Sequence, residues 1–524
     1  MALAQISDKS SAWRSGNRQI AVNMVATILS YGISLGISFF LTPYIVSRLG
    51  AAAYGFLGLS NNIIGYTSLI TVALNSMAGR FISIHYHKGD YDTANRYMSS
   101  TVVGNICLAV LIVITLGILT FFLEDIINIP PDLVGDVKFL FTLLFVNGAV
   151  GLCTSVINFP TFIKNRLDLG NIYGIIGNLL RVVLIIVAYG FFPAHIWYIG
   201  AVGLLCSFYS IFVNYGLYRR LTPELKFKIS SYRLKLVWEM SKEGAWNLLS
   251  QFSSILNQGL ELLLANIFVG AYYMGILSIT KTLPFIILGI FAALGGNFHP
   301  EAVKLYAEKN LIAMRNMLVK GIRILGAIAA IPCAGVMAYG DIFYASWLPG
   351  QDYALLYHIS VVTMIWLTTT LPTQTLWYIF TITKTVRYSS TVIIKYGIAN
   401  CILAIAAVNI FHDDLMKIYA IVGIQSILGI FRFTTFLPFL GAKVLQLPKY
   451  TFFRPLMNYL FATAVITAIS LLFKYLFIHN YSWWTLIAGA CFTTAVGVAI
   501  SSVFILTKTD REFILSKLPV FNRR

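Results

Sequence analysis

Five ionisable side chains lie inside long apolar segments of the sequence, where a charge needs a partner or a water-filled cavity. They are one acid, Glu261, and four bases, Arg181, Lys281, Lys395 and Arg432. A charge near the centre of a bilayer costs about 3 kcal/mol on insertion scales, so such residues are candidates for function. Four cations against one anion favour a negatively charged ligand, such as a phosphate or pyrophosphate group, over an organic cation.

Glu261 and Lys281 are expected to form an ion pair. The hairpin between their segments centres near Ala271, and each residue lies ten positions from that centre. On adjacent antiparallel helices they would share a depth of about 10 Å below the surface, at about 1.5 Å per residue. The pair can be structural, or Glu261 can be a coupling carboxylate that exchanges Lys281 for a proton, a sodium ion or a substrate phosphate.

The other three cations differ in their distance from the ends of their segments. Arg181 lies about eleven residues into the fifth apolar segment, beyond easy reach of the surface. It is expected to face a cavity that holds an anionic substrate, or to bind a helix-packing partner near Asn178. Lys395 and Arg432 lie about seven residues from an end, so snorkelling to the surface explains both, with a substrate contact as the alternative.

The composition indicates which elements must hold these residues. The chain has 524 residues, of which 58% are hydrophobic and 11% are charged. A soluble protein would have about 25% charged residues, so this is an all-α integral membrane protein. Because a span needs about 20 apolar residues, we predict fourteen transmembrane helices. They cover approximately residues 20–46, 57–78, 101–122, 138–159, 170–191, 196–217, 245–268, 274–296, 321–339, 355–380, 389–410, 416–439, 456–478 and 484–507.

The distribution of Lys and Arg predicts the orientation of these helices. Thirty of the 38 fall on the side that holds the N-terminus, four fall on the opposite side and four lie within spans. Cytoplasmic loops retain basic residues, so both termini are expected in the cytoplasm. The net charge of +18 then reflects topology, and nucleic acid is not expected as a partner.

An internal repeat with a spacing of 220 residues organises the spans into two lobes. Six spans per copy return the chain to its starting side, so we expect parallel lobes related by a pseudo-twofold axis along the membrane normal. The matched pairs include Gly50 with Gly270, Gly55 with Gly275, Lys164 with Lys384 and Gly203 with Gly423. The predicted parts are an N-terminal six-helix lobe (1–217), a basic cytoplasmic linker (218–244), a C-terminal six-helix lobe (245–440), and two additional helices with a basic cytoplasmic tail (441–524).

Sequence motifs of enzymes are weak or missing. The chain has no Gly-Lys dipeptide and therefore no Walker A loop, and HExxH does not occur. Asp90 and Asp92 form a DxD string that could bind a metal–nucleotide, but charges in a solvated turn explain them. The six cysteines fall in apolar segments without metal-ligand spacing, so no cofactor is expected. A membrane glycosyltransferase or polymerase stays a weak alternative, because such enzymes usually need a sizeable outer loop.

Several strings of the chain, taken in their order, resemble one known family. The sequence RFISIHYHKGDYDTANRY at 80–97 is similar to the stretch after the second helix of polysaccharide-unit flippases of the Wzx type. These flippases belong to the multidrug/oligosaccharidyl-lipid/polysaccharide (MOP) exporter superfamily. Further similar strings are Arg48-Leu49-Gly50, IINIPPD at 126–132, KNRLDLGNI at 164–172, VGAYYMGILSITK at 269–281 and HPEAVKLYAEKN at 299–310.

The resemblance implies an alternating-access carrier in the bacterial cytoplasmic (inner) membrane. It would move an undecaprenyl-pyrophosphate-linked oligosaccharide to the outer leaflet for O-antigen (lipopolysaccharide), capsule or exopolysaccharide synthesis, with proton or sodium coupling. Besides membrane lipids, a polysaccharide polymerase and chain-length proteins are the implied partners. The alternative within the same superfamily is a multidrug cation antiporter, against which the excess of buried cations counts.

The resemblance also implies roles for individual residues. Arg181 and Lys281 would attract pyrophosphate or acidic sugars. Glu261 occupies the position of a frequent Asp in relatives, and it would be the coupling or gating carboxylate. At the inner mouth, Arg80 and Arg166, with the neighbouring Lys164, would guide the head group, unless they are topology charges at the membrane surface.

Overall fold

The structure, a computed structural model, describes residues 2–383 and 385–517, and every regular element within these ranges is helical. Twelve helical segments of these ranges are long and apolar enough to cross a membrane, which confirms the prediction of a multi-pass, all-α membrane protein. The chain divides into two compact units, with the boundary between Ile255 and Leu256. Lys384 and residues 518–524, the end of the predicted tail, lie outside the described residues.

The first unit, called unit 1 below, contains the first six predicted spans and the first part of the seventh. Its α-helices are α1 (Ala2–His87), α2 (Tyr91–Phe121), α3 (Leu123–Ile126), α4 (Val134–Thr154), α5 (Phe159–Ile163), α6 (Leu167–Phe191), α7 (Trp197–Leu221) and α8 (Leu234–Ser254). Short 3-10 turns lie at Pro131–Leu133, Ser155–Asn158 and Ile229–Ser231. Helix α1 packs against α2, α6 and α8, while α4 packs against α2 and α7.

The second unit, called unit 2, contains the repeat of this arrangement and two more long helices. Its α-helices are α9 (Glu261–Phe268), α10 (Ala271–Gly296), α11 (His299–Ala307), α12 (Leu311–Trp347), α13 (Tyr353–Thr370), α14 (Trp377–Ile382), α15 (Val386–Ile410), α16 (Asp414–Phe431), α17 (Leu437–Val444), α18 (Phe453–Phe477), α19 (Trp483–Phe504) and α20 (Lys508–Lys517). A 3-10 turn lies at Pro372–Leu376, and π-helical turns lie at Ile255–Gly259 and Arg432–Phe436.

Two local features explain how the predicted spans correspond to the observed helices. Gly50 interrupts α1 with φ 82° and ψ 167°, so the predicted spans 20–46 and 57–78 are the two arms of one long helical stretch. A positive φ of this kind is open to glycine because it has no Cβ. The predicted span 245–268 is divided between α8 and α9 by the π-helical turn Ile255–Gly259.

The backbone confirms the repeat at its predicted spacing. Gly50 and Gly270, 220 residues apart, both have positive φ angles, 82° and 124°. Asp90 caps α2 by accepting a hydrogen bond from the Thr93 amide. At the matching position, Asn310 caps α12 by accepting from the amide of Ala313. Side chains of this type at an N-cap stabilise a helix by about 1 kcal/mol, so both copies start their second long helix in the same way.

The two additional helices pack against α12 inside unit 2. Gly326 of α12 makes room for the ring of Tyr459 on α18, since a Cβ there would lie 3.0 Å from a ring carbon. Gly489 of α19 similarly allows close contact with Tyr339 of α12. Residues 453–504 are therefore an integral part of unit 2.

Candidate functional site

A polar cavity of about 460 Å³ lies inside unit 1. Its walls come from the second arm of α1 and from α4, α6 and α7. The volume falls in the range of about 300–1,000 Å³ that is common for small-molecule sites. Polar groups face it from all four helices, namely the side chains of Asn61, Asn147, Asn178, Ser207, Ser210 and Asn214.

Small residues and hydrogen bonds among the helices shape this cavity. A Cβ at Gly177 on α6 would lie 3.3 Å from the Tyr209 ring on α7, so glycine allows these helices to approach closely. The Asn178 amide donates to the Ser34 hydroxyl on α1 at 2.9 Å, and the Ser207 hydroxyl donates to Asn147 at 2.5 Å. The lining is therefore held in place by contacts within unit 1.

Arg181 is the charged residue that faces this cavity. Its side chain is exposed, and it lines the cavity one turn of α6 beyond Asn178. Among the residues that the structure describes, no Asp or Glu lines the cavity and no carboxylate forms a salt bridge with Arg181. The structure places Arg181 at a cavity, and the amide of Asn178, one turn earlier on α6, donates to α1. That the cavity holds an anionic substrate stays a prediction.

Glu261 and Lys281 form an ion pair inside unit 2, as expected. Glu261 is the first residue of α9, Lys281 lies in α10, and the two residues are 2% and 8% exposed. Desolvating two charges is costly, and such a pair persists only when each charge compensates the other. The observed arrangement is the closed state of the pair, and a role in ion coupling requires that it open.

Arg432 is buried, which contradicts the expectation that it snorkels to the surface. It is 7% exposed and is the first residue of the π-helical turn Arg432–Phe436. Its guanidinium carbon lies 4.4 Å from the centroid of the Phe433 ring, a cation–π distance. The adjoining cavity, lined by Tyr396 and Asn400 among others, holds about 10 Å³, roughly the space of a single water molecule.

Lys395, on α15 of unit 2, has an exposed side chain. Its side chain makes no ion pair with any residue that the structure describes. The proposed substrate contacts of Lys395 and Arg432 stay separate predictions.

The predicted inner-mouth residues lie in different environments of unit 1. Arg80 is exposed on α1. The Arg166 guanidinium donates to Asp168 at 3.0 and 3.1 Å, and Asp168 also accepts a hydrogen bond from Gln19. Arg166 thus helps to hold α1 against α6, whereas Arg80 has the exposure that a contact with a ligand requires.

Lys164 belongs to a second cluster, at the C-terminal end of α1. Its ammonium nitrogen lies 4.7 Å from the centroid of the Tyr86 ring, and the Tyr86 hydroxyl donates to Glu224 at 2.9 Å. The interaction with the Tyr86 hydroxyl, together with the charge of Glu224, raises the pKa of Lys164. Lys164 is therefore charged at neutral pH and connects the end of α5 to the segment that precedes α8.

Most residues of the cavity lining, and one buried acid, were not predicted from the sequence. Asn61, Asn147 and Asn214 are amides at intramembrane positions, and the cost of burying a polar group is the signal that could have identified them. Asp341, predicted in an outer loop, lies inside α12 and accepts hydrogen bonds from Lys474 at 2.6 Å and Tyr481 at 2.8 Å.

The DxD string has a structural role in the observed fold. Asp90 is the N-cap of α2 and lies 3.4 Å from His85, while Asp92 follows in the first helical turn. Hydrogen bonds to the Thr93 backbone lower the pKa of Asp90. Across the part of the chain that the structure describes, no group of His, Cys, Asp or Glu could hold a metal ion.

The sequence and the fold are similar to those of several known proteins. No protein-family model matches the sequence. The chain is similar to "Uncharacterized membrane protein EpsK" of Bacillus subtilis (strain 168), with 25% identity over 510 residues that cover 95% of this chain and 98% of the relative.

Solved structures of two transporters share the fold. An inward-facing multidrug resistance MATE family transporter of the MOP superfamily superposes with a TM-score of 0.65 and 16% identity, covering 82% of this chain and 97% of that one. The lipid II flippase MurJ in an inward closed conformation superposes with a TM-score of 0.63 and 13% identity, covering 94% of this chain and all of that one. The expected all-α fold is confirmed, and the chain shares its architecture with these two transporters.

Proposed function

We propose that this protein is a flippase that moves an undecaprenyl-pyrophosphate-linked oligosaccharide from the cytoplasmic to the outer leaflet by alternating access. The product would serve synthesis of a surface polysaccharide, namely an O-antigen, a capsule or an exopolysaccharide. The sequence strings that resemble Wzx-type flippases support this proposal, as does the fold shared with MurJ over 94% of the chain.

The observation that carries the proposal is the chemistry of the cavity in unit 1. Amides and hydroxyls face it from four helices, and among the described residues that line it Arg181 is the charged one and none is an acid. Hydroxyl-rich sugars need donors and acceptors of this kind, and a guanidinium binds carboxylate or phosphate oxygens in bidentate geometry. A pocket for organic cations would instead be lined by an acid.

The other charged residues receive supporting roles. Glu261 would be the coupling carboxylate, released from Lys281 when a proton or a sodium ion takes the place of the ammonium group. Arg80 would contact the head group at the inner mouth, and Arg166 would act through its hold on Asp168. Lys395 and Arg432 would add positive potential in unit 2.

The first experiment uses the lipids of a strain that lacks this protein. We expect a complete undecaprenyl-pyrophosphate oligosaccharide to accumulate and to stay inaccessible from the outer face of the membrane. Accumulation of an incomplete or outward-facing unit would instead indicate an enzyme. Loss of dye or toxin export without accumulation would indicate a cation antiporter, the other function represented among proteins with this fold.

Arg181→Gln tests the cavity directly in the same strain. Hydrogen bonds to a charged group contribute about 1.5–3 kcal/mol, so we expect turnover of an acidic cargo to fall about tenfold to a hundredfold. Arg315→Gln is the matched control, since Arg315 is an exposed arginine on α12 outside the cavity. An equal effect of Arg181→Gln on acidic and neutral cargo would argue for helix packing instead.

Glu261→Gln tests the coupling role. The amide has nearly the shape of the carboxylate but does not ionise, so the dependence of transport on pH and on sodium should disappear. Transport assayed in vesicles with imposed gradients reports this loss. A variant that transports at the normal rate, with unchanged dependence on both ions, would contradict coupling through Glu261 and leave the flippase proposal intact.

A further inference from the structure

The segment between α7 and α8 is fixed against unit 1, although it has little regular structure of its own. The backbone amide of Lys226 donates to Asn95 of α2 at 2.7 Å. Further along, the amide of Arg233 donates to the Ser100 hydroxyl at 3.0 Å. Such bonds replace the partners that an irregular backbone would otherwise find in water. The segment therefore has a defined inner face and a defined outer face.

The inner face of this segment belongs to the hydrophobic core of unit 1. Leu225 is 3% exposed, and Met240, on the first turns of α8, is fully buried. Leu236 and Val237 pack against the same core cluster. Because the buried side chains of α8 follow helical spacing, the side chains on its opposite side face outwards.

The outer face combines large apolar side chains with cations. Ile229 is 75% exposed, Leu234 68% and Trp238 71%, which is unusual for residues of this size on a water-facing surface. The cationic side chains beside them are exposed as well. We define the linker surface as Lys226, Phe227, Lys228, Ile229, Leu234, Lys235, Trp238 and Lys242.

We propose that the linker surface binds the anionic head groups of the lipid leaflet that it faces. Basic residues with Trp and aliphatic side chains are typical of protein surfaces that lie at the boundary between head groups and acyl chains. There the apolar side chains leave water while the ammonium groups bind phosphates, each base contributing to attraction by an anionic leaflet. A soluble polyanion would leave Ile229, Leu234 and Trp238 in water, so a lipid surface fits the composition better.

The bases of this segment outnumber its acids, with seven Lys and Arg against three Glu in residues 218–244. Glu239 accepts a hydrogen bond from the Tyr97 hydroxyl at 3.3 Å, and Glu224 accepts one from the Tyr86 hydroxyl at 2.9 Å. Glu224 and Asp92 also line a cavity with Lys226 and Lys228, so the excess of positive charge, rather than an absence of acids, attracts the head groups. The proposal is independent of the cargo, since it concerns the lipids that surround the protein.

The test measures quenching of Trp238 fluorescence by lipids that carry bromine on their acyl chains. The full chain is placed in phosphatidylcholine nanodiscs with an equal small fraction of brominated phosphatidylglycerol or brominated phosphatidylcholine. Subtracting the spectrum of Trp238→Phe isolates this residue from the other tryptophans. We expect stronger quenching by the brominated anionic lipid, and a roughly tenfold loss of that preference in Lys226→Gln/Lys228→Gln.

A matched pair of exposed bases supplies the control. Lys508→Gln/Arg511→Gln removes the same charge from α20, outside the linker surface, and should leave the preference unchanged. Three results would each overturn the proposal: equal quenching by the two brominated lipids, no quenching of Trp238 by either, or an equal loss of preference in the control pair.

Discussion

The two units share a helical arrangement, but corresponding positions surround an open cavity in unit 1 and are closely packed in unit 2. Unit 1 encloses a polar cavity of about 460 Å³, whereas the cavity beside Arg432 in unit 2 holds about 10 Å³. The 220-residue spacing contributes to this difference, because four polar lining residues of unit 1 correspond to Leu, Ile or Cys in unit 2. The corresponding pairs are Asn147 with Leu367, Asn178 with Ile398, Arg181 with Cys401, and Ser207 with Ile427.

Charge follows the same division between the units. Asn61 of the unit 1 cavity corresponds to Lys281, which is buried against Glu261. In unit 1, Arg181 is exposed to the cavity. In unit 2, Lys281 is buried, and Glu261 neutralises its charge. The duplicated arrangement therefore holds a polar cavity in one unit and a buried charge pair in the other.

The largest effect is expected from breaking the buried pair. Lys281→Met leaves the Glu261 carboxylate buried without its partner, and removing one member of such a pair costs about 3–5 kcal/mol. The variant should lose thermal stability in detergent, measured by the unfolding temperature. Arg181→Gln should leave that temperature nearly unchanged, because Arg181 is exposed to the cavity.

A double variant shows whether the pair itself is needed for stability. Glu261→Leu combined with Lys281→Met replaces both charges by apolar groups, which is often neutral for stability. It should recover most of the unfolding temperature lost in the single variant. A double variant as unstable as Lys281→Met would mean that packing around these positions, rather than an uncompensated charge, dominates the cost.

A smaller loss of stability is expected when a glycine in the closely packed unit 2 is replaced by alanine, but not when a glycine in the cavity wall of unit 1 is replaced. A Cβ at Gly429 would lie 2.8 Å from the Trp366 side chain, while a Cβ at Gly174 meets nothing within 4 Å. Overpacking costs about 1–3 kcal/mol, so Gly429→Ala should lower the unfolding temperature. Gly174→Ala in the cavity wall should not lower it, and an equal loss in both variants would contradict the contrast.

The smallest effect is expected from protonating two carboxylates outside the long helices, Asp510 of α20 and Glu224 in the segment after α7. Burial raises the pKa of Asp510, but hydrogen bonds from Thr507 and Arg323 outweigh it, so the pKa is lowered. A backbone N–H and the Tyr86 hydroxyl similarly lower the pKa of Glu224. A carboxylate with a depressed pKa stabilises the fold above its unfolded pKa, and this contribution is lost as the pH falls below about 4.

Hydrogen exchange can compare these two attachments. Acidification should increase exchange in α20 and in the segment after α7, after correction for the intrinsic rate, with a change of at most about 1 kcal/mol in each. Asp510 is 3% exposed, so we expect the larger change in α20. Exchange that does not change with pH in either segment would show that neither carboxylate holds its segment in place.

Sequence reasoning succeeded where the membrane makes a charge expensive. The cost of burying Arg181 predicted a cavity, and the symmetric distances of Glu261 and Lys281 from their hairpin predicted their pair. The same reasoning was wrong for Arg432, since distance from a helix end assumes a regular helix. Arg432 lies in the π-helical turn Arg432–Phe436, and nothing in the spacing indicates that turn.

Other features depend on contacts between distant parts of the chain. The pair of Asp341 and Lys474 joins residues 133 positions apart, and a search for charges near span centres places both outside the membrane. Asn61 and Asn214 carry no charge, so a census of ionisable groups overlooks them. Counting amides in apolar segments as well as charges would have located the cavity more completely.

The bond between Asp341 and Lys474 also has a mechanical consequence. It ties the end of α18 to the end of α12 at 2.6 Å, so α18 cannot slide along α12 without breaking a charged contact. Helix α18, one of the two additional helices, is thus fixed to α12 by a charged contact near one end and by close packing at Gly326.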